Sequence, residues 1–290
     1  MPSRIIGKIE MDDFNFEGDI EYLNALSKQP EEYDEFGQGD WRNVSIYNGS
    51  GQGSDSRFRV VERCFPTPHA QACPNIRAFL KHCFKFENLK MVRARNLVDG
   101  IVIPHRDFVE MEGDVTCFRV FVALEYNSEA FHSDAHGVFQ MRPGEVWFLD
   151  ASIDHAAINF GVSSRIFLCL DFMFEGHFED RDIFAQGASI HGGHGQSFIT
   201  HEPFSKAEEQ SLIVAVAHML NRFTFKEIVF ALSKYHFTYE VPVSACYDWL
   251  VQAAERAGKE DILIKAKSLR RYLLESRVMG ERYTINQWAS

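Results

Sequence analysis

The sequence predicts a β-rich protein: an antiparallel barrel or double-sheet jelly roll with flanking helices, followed by a C-terminal α-helical domain. Three observations lead there. Between Lys90 and Phe172 the chain runs in short apolar, β-branched segments separated by Gly/Pro turns, the pattern of an antiparallel barrel or double sheet. From Ser205 onward the apolar period lengthens from 2 to 3.6 residues. Between the two lies a stretch rich in glycine and histidine that reads as a solvated connector. The expected organisation is therefore a barrel domain with N-terminal helices over 1–175, a linker over 176–204 and a helical domain over 205–290.

In chain order, residues 4–10 read as a short strand and about Phe16 to Ser27 as an acidic amphipathic helix. Trp41 to Tyr47 is a strand closed by the turn Asn48-Gly-Ser-Gly51, and Pro66, Pro68 and Pro74 interrupt the chain before a helix over about Asn75 to Cys83. Strands follow at Met91 to Asn96, Val98 to Ile103, Thr116 to Glu125, Gly137 to Met141, Val146 to Asp150, Ala156 to Phe160 and Ser164 to Phe172. Ser205-Lys-Ala-Glu208 and Thr224-Phe-Lys-Glu227 are capping-box signatures, in which a hydroxyl and a carboxylate exchange bonds with the first backbone N–H groups of a helix. A third helix runs from Ser244 to Gly258 and a fourth from Asp261 to about Met279. The aromatic stripe Phe223, Phe225, Phe230, Tyr235 and Phe237 reads as core or as the face of a homodimer.

The 290 residues, 46% of them hydrophobic and 26 of them Phe, can bury a large core. The net charge of −11 argues against nucleic acid or an anionic membrane surface as partner. No apolar run approaches the length of a bilayer span, and the first residues carry no signal-like apolar segment. The six cysteines have no zinc-like spacing, so free thiols in the cytoplasm are expected. The glycines at 37–53 lack the strand-to-helix setting of a phosphate loop. His191, His194 and His201 sit among glycines that would leave any metal unorganised.

Chemistry is concentrated in Ile101-Val-Ile-Pro-His105-Arg-Asp107-Phe-Val-Glu110. On a strand, residues at i and i+2 share a face, so His105 and Asp107 project together and Arg106 points away. An imidazole and a carboxylate from one strand are two of the three donors of a facial site for non-haem Fe(II). A second histidine must come from a distant strand, and His155 does. Ten residues further, Arg165 offers a planar cation suited to a carboxylate. Arg119, embedded among apolar residues, needs an anion: either a ligand or an internal partner such as Glu110 or Glu125. Trp147 is a candidate pocket wall or a core residue. Asp154 is either a partner orienting His155 or an exposed turn residue, and Asp171 receives no assignment.

With H-x-D, a distal His and an Arg ten residues later in place, the chain resembles the Fe(II)/2-oxoglutarate-dependent dioxygenases. More closely, Met91-Val-Arg-Ala-Arg-Asn-Leu, Ile103-Pro-His-Arg-Asp-Phe-Val-Glu, Phe131-His-Ser and Gly144-Glu-Val-Trp-Phe-Leu-Asp-Ala-Ser resemble the free L-proline hydroxylases, a group that includes the 3-hydroxylases, the cis-4-hydroxylases and the pipecolic acid hydroxylases. The resemblance runs nearly the whole length. It implies that the jelly roll is a double-stranded β-helix of the cupin-like kind, with Fe(II) on His105, Asp107 and His155, and 2-oxoglutarate on Arg165 with His132. It places a free cyclic amino acid near Arg93, Arg95, Arg119 and Trp147. O2 would be the oxidant, ascorbate a reductant, and succinate and CO2 products. L-Proline is the first candidate substrate, with L-pipecolic acid or a substituted proline as alternatives. A non-oxidative cupin-like metal-binding module is the rival of another class, and Arg165 is the residue such a module has no need of.

Overall fold

The computed structural model describes residues 3–29, 34–108, 115–186, 188–192, 198–278 and 281–288. Among the described residues, eleven strands form one curled, largely antiparallel sheet: β1 (Arg4–Ile9), β2 (Gly37–Asn48), β3 (Phe65–Pro66), β4 (Leu89–His105), β5 (Val115–Ala123), β6 (Ala130–Asp134), β7 (Gly137–Phe139), β8 (Glu145–Phe148), β9 (His155–Asn159), β10 (Phe167–Glu175) and β11 (Ile190–His191). The path runs β11-β1-β8-β5-β10-β4-β9-β6-β7, and β2 lies along β4. Helices α1 (Glu17–Ala25), α2 (Pro68–Ala72) and α3 (Pro74–Cys83) precede β4. Helices α4 (Lys206–Met219), α5 (Phe225–Leu232), α6 (Ala245–Ala257) and α7 (Glu260–Arg270) follow the sheet. A two-strand pair, β12 (Glu202–Pro203) with β13 (Tyr239–Glu240), ties the approach to α4 to the turn after α5. Among the described residues no helix is long and apolar enough to cross a membrane.

The two-residue alternation of each strand sorts side chains into separate cores. On β10, Phe167 and Cys169 face the barrel interior with Phe121, Phe139, Trp147 and Leu149. Leu168, Leu170 and Phe172 face the opposite way, onto Leu23 of α1 and Ile76, Phe79 and Leu80 of α3. The outer face of β4 and β9 supplies Ile101, Ile103, Ala156 and Ile158 to a third core, shared with Val216, Phe225, Phe230, Tyr247, Leu250 and Leu269 of the C-terminal helices. The helices thus complete one side of the barrel with a common apolar layer.

The strand that carries the histidine is bent twice. Pairing of β4 shifts by one residue against β2 near Asp99 and Gly100, and again against β9 between Val102 and His105. Each extra residue is a bulge, which reverses which side chains face inward. Arg93, Arg95 and Leu97 line the interior cavity, then Val102 does, and after the second bulge His105 does. Close approach at the first bulge requires Gly100, where a Cβ would lie 2.2 Å from the Gln38 carbonyl oxygen. Sequence reading sees two strands here; the structure makes them one strand with two corrections of phase.

Elsewhere the expected elements appear with adjusted ends. The capping box at Ser205 and Glu208 is formed. The one at Thr224 is not, because its hydroxyl bonds back to the Met219 carbonyl instead of capping α5. The last helix stops at Arg270 and passes into a π-helical turn, Arg271–Glu275; Met279 lies outside the described residues. The connector over 176–204 is corrected in its first part. Ile183 is fully buried, its carbonyl accepts from Lys85 N, the Ala185 N–H donates to the Cys83 carbonyl, and β11 pairs with β1. Apolar Ile183 and Phe184, among the polar residues and glycines of this stretch, are the anchors that composition alone conceals. Gly187, Gly193, His194 and Gly195 lie outside the described residues.

Candidate active site

Antiparallel pairing sets His105 of β4 directly opposite His155 of β9, with ring centroids 4.3 Å apart. Asp107, two residues past His105, brings Oδ1 to 3.6 Å from His105 Nε2. One donor atom from each of the three residues falls within 4.8 Å of the others. Both imidazoles are oriented in the same way. His105 Nδ1 lies 2.8 Å from the Ile103 carbonyl oxygen and His155 Nδ1 lies 2.9 Å from that of Ile153. A carbonyl only accepts, so Nδ1 carries the proton in each ring and Nε2 keeps its lone pair for a metal.

Charge states favour the same use. Burial, together with His155, pushes His105 down to about 3, and burial also lowers His155, so both rings are neutral at pH 7. Burial opposes ionisation of Asp107, but the ion pair with Arg119 holds its carboxyl well below the usual carboxylate range. Two neutral nitrogens and one carboxylate oxygen on one side of a buried point form a donor set that suits a divalent first-row metal with open positions.

The cavity beside this triad is lined by β2, β4, β5, β6, β9 and the approach to β10. Arg165 enters it two residues before β10 begins and is 3% exposed. Its Nη1 donates to His132 Nδ1 at 2.8 Å, and its backbone N–H donates to Asn96 Oδ1 at 3.0 Å. Its Nε and Nη2 have no hydrogen-bond partner among the described residues, and burial brings the guanidinium down to about 9. A buried cation with two idle donors in a cavity is a socket for an anion. Arg95 also lines the cavity, its Nε without a hydrogen-bond partner among the described residues and its guanidinium carbon 5.9 Å from the Phe121 ring centroid.

The remaining sequence candidates divide. Arg93 lines the cavity but commits Nη2 to Asp171 at 2.6 Å. Arg119 is corrected from a substrate residue to an internal one. Its Nε donates to Asp171 at 2.6 Å and its Nη1 to Asp107 Oδ2 at 2.5 Å. Its internal partner is not Glu125, which accepts from Ser164 and the Ile166 N–H, while Glu110 lies outside the described residues. Asp171, unassigned from sequence, is fully buried and bridges the two arginines; burial works against its charge, and Arg119 and Arg93 hold it ionised. Trp147 is also corrected: it is stacked on Phe139 at 4.5 Å and donates to Glu145, in the core rather than on the cavity wall. The tryptophan that walls the cavity is Trp41 of β2, with Asn43 on the same strand face. Its indole lies over Gly37, where a Cβ would come within 2.6 Å of it. The i, i+2 spacing of Trp41 and Asn43 was the available signal for that wall. Asp154 is ion-paired with Arg106 and so joins the segments that carry His105, Asp107 and His155; orientation of His155 is left to Ile153.

A curled antiparallel barrel with a two-histidine, one-carboxylate face and an anion socket beside it defines a jelly-roll metalloenzyme of the oxygenase type. Comparison with known proteins narrows this. Residues 19–174 match the family model of aspartyl/asparaginyl beta-hydroxylase, and residues 180–281 match that of the L-proline 3-hydroxylase C-terminal region. L-Proline cis-3-hydroxylase 2 of Streptomyces sp is 40% identical over 99% of this chain and 100% of its own, and cis-3-hydroxylase 1 is 38% identical over the same shares. L-Proline cis-4-hydroxylase of Rhizobium meliloti (strain 1021) is 27% identical over 97% of this chain and 99% of its own. The chain belongs to the Fe(II)/2-oxoglutarate-dependent free L-proline hydroxylase family.

Proposed function

We propose that this protein hydroxylates free L-proline at C3 in the cis sense, using Fe(II), O2 and 2-oxoglutarate and releasing succinate and CO2. The observation that carries the reading is the presence, in one cavity, of the three-donor face and the unsatisfied guanidinium of Arg165. Identity of 40% and 38% to cis-3-hydroxylases against 27% to a cis-4-hydroxylase supports C3.

In this reading His105, Asp107 and His155 hold the iron, and Arg119 occupies the second oxygen of Asp107 so that the other is left for the metal. When bound, the Fe(II) centre supplies oxidative decarboxylation of 2-oxoglutarate and delivery of one oxygen atom to an unactivated C–H bond. Arg165 receives the far carboxylate of 2-oxoglutarate on Nε and Nη2, and His132 fixes the plane of that guanidinium. Arg95 takes the substrate carboxylate, with Arg93 beside it adding positive field. Trp41 packs against the ring and excludes water. None of these side chains needs to gain or lose a proton; they orient the dianion 2-oxoglutarate and the carboxylate of a zwitterionic amino acid.

L-Pipecolic acid is the alternative substrate. It is one methylene larger, a difference worth about 1–3 kcal/mol in an apolar pocket. All six cysteines are free, which supports a reducing compartment such as the cytoplasm, and the net charge of −11 supports a small-molecule partner rather than nucleic acid. Of the aromatic stripe, Phe225, Phe230 and Phe237 are core and Phe223 is 95% exposed, so a homodimer would be built around Phe223.

The test is direct. Purified protein with Fe(II), ascorbate and 2-oxoglutarate is expected to release succinate when L-proline is added, and NMR to identify cis-3-hydroxyproline. A C4 product would overturn the regiochemistry. No stimulation by any cyclic amino acid would overturn the substrate.

A further inference from the structure

The second bulge of β4 does two things at once: it turns His105 inward, and it removes Ile103 and Pro104 from pairing with β9. Two carbonyls are left to satisfy in a buried place. That of Ile103 accepts from His105 Nδ1 at 2.8 Å. That of Pro104 accepts from the Tyr247 hydroxyl of α6 at 2.6 Å, and Tyr247 is 1% exposed. On the other side of His105, the Arg106 N–H donates to the Leu273 carbonyl at 2.9 Å. Leu273 lies in the π-helical turn at the end of the last helix, where carbonyls have no helical partner of their own. At Asp107, one residue after Arg106, the Arg277 Nη2 lies 3.6 Å from Oδ1 while its guanidinium sits among the rings of Phe36, Phe108 and Tyr272. Residues 104, 106 and 107 are thus each held by the C-terminal helical region.

We propose that Tyr247 is a positioning residue of the metal centre: its hydroxyl staples the bulge that aims His105, so the helical region sets metal affinity as well as stability. The inference rests on the assignment of His105, Asp107 and His155 as metal ligands. A phenolic hydroxyl buried in an apolar helical core is costly without a partner; here it donates to the Pro104 carbonyl of the barrel strand and is also hydrogen-bonded to Ser233 at the end of α5. Removing it leaves the Pro104 carbonyl buried and unsatisfied. The bulge then relaxes towards regular pairing, which swings the imidazole out of line with His155.

The experiment uses the full chain. Mn(II) binding is titrated calorimetrically, well below the melting temperature, for wild type, Tyr247→Phe and Trp249→Phe. Trp249 is the control: it lies on the same helix, is 3% exposed and donates to Glu209 Oε1, so its loss weakens the helical packing without touching β4. Tyr247→Phe is expected to weaken Mn(II) binding roughly tenfold, the usual cost of losing a group that orients a metal ligand. Trp249→Phe is expected to keep wild-type affinity. Unchanged affinity in Tyr247→Phe, or an equal loss in Trp249→Phe, overturns the staple. Hydrogen exchange on wild type gives a second readout that needs no variant. The Arg106 amide is expected to be protected before metal is added, and protection that appears only with Mn(II) overturns the staple. Failure of wild type to bind Mn(II) at all overturns the metal assignment itself.

Discussion

Arg165 and His132 share one hydrogen bond in which the guanidinium must be the donor and the imidazole Nδ1 the acceptor, at 2.8 Å. The bond exists only while His132 is neutral. Burial, reinforced by Arg165 itself, keeps it neutral by lowering its pKa well below 6.5. The socket proposed for the co-substrate is therefore fixed across ordinary assay pH, and substitutions can be ranked by what they leave of it.

Arg165→Lys keeps a charge but loses the planar pair of donors. Two charge-assisted bonds at about 1.5–3 kcal/mol each correspond to a rise in KM for 2-oxoglutarate of at least a hundredfold. KM for L-proline should change little. Initial-rate measurements with each substrate varied in turn check this.

His132→Leu removes the acceptor and frees the guanidinium to rotate, whereas His132→Gln can still accept through its amide oxygen. The leucine variant should lose about 1–2 kcal/mol of 2-oxoglutarate affinity, and the glutamine variant less. Equal losses in calorimetric titrations of the two would show that the imidazole contributes by shape alone.

Asp171→Asn tests the buried charge ladder. It leaves Arg93 and Arg119 with one carboxylate fewer at a fully buried position, and should destabilise the fold by about 3–5 kcal/mol. The pH dependence has a definite sign. The folded carboxyl of Asp171 titrates below its ordinary value of 3.8, so the unfolded chain binds the proton more readily. The stabilisation is fully present above that value and is lost as pH falls through and below it. Urea melts at pH 7 and pH 3.5 should show a smaller pH effect in Asp171→Asn than in wild type.

Gly37→Ala acts on substrate placement at a distance. The new methyl comes within 2.6 Å of the Trp41 indole, which must shift. KM for L-proline should rise several-fold, and the ratio of succinate to hydroxyproline should climb, because a badly seated ring is missed while 2-oxoglutarate is still consumed. A ratio that stays at one in product analysis would remove Trp41 from the substrate wall.

The parts of this site that could be read from sequence are those carried by spacing along one chain segment. His105 and Asp107 share a face by the alternation rule, and His155 and Arg165 follow at distances that a barrel brings together. What could not be read depends on register between segments. Asp171 finds Arg119 because the two are direct partners across β10 and β5, and no local pattern specifies that pairing. Trp147 and Trp41 both sit on alternating strands, and only the curl of the sheet decides which indole meets the cavity. Tyr247 and Arg277 were illegible for the same reason: a helical heptad shows which face is apolar, not which barrel carbonyl a hydroxyl will meet. The two bulges of β4 leave no sequence mark beyond Gly100 and Pro104, yet they decide that His105 faces inward.

The apolar layer shared by β4, β9 and the C-terminal helices has a further consequence for how this chain can be cut or recombined. Ile101, Ile103 and Ile158 are each no more than 1% exposed, and their cover is helical. A chain ended near residue 175 would present that sheet face to water at about 1.5–3 kcal/mol per side chain, with the ligand-bearing strands at its centre. Such a fragment is expected to be recovered as aggregate, and a foreign barrel could not borrow these helices without matching the same face. The two stretches that match separate family models therefore share one apolar core.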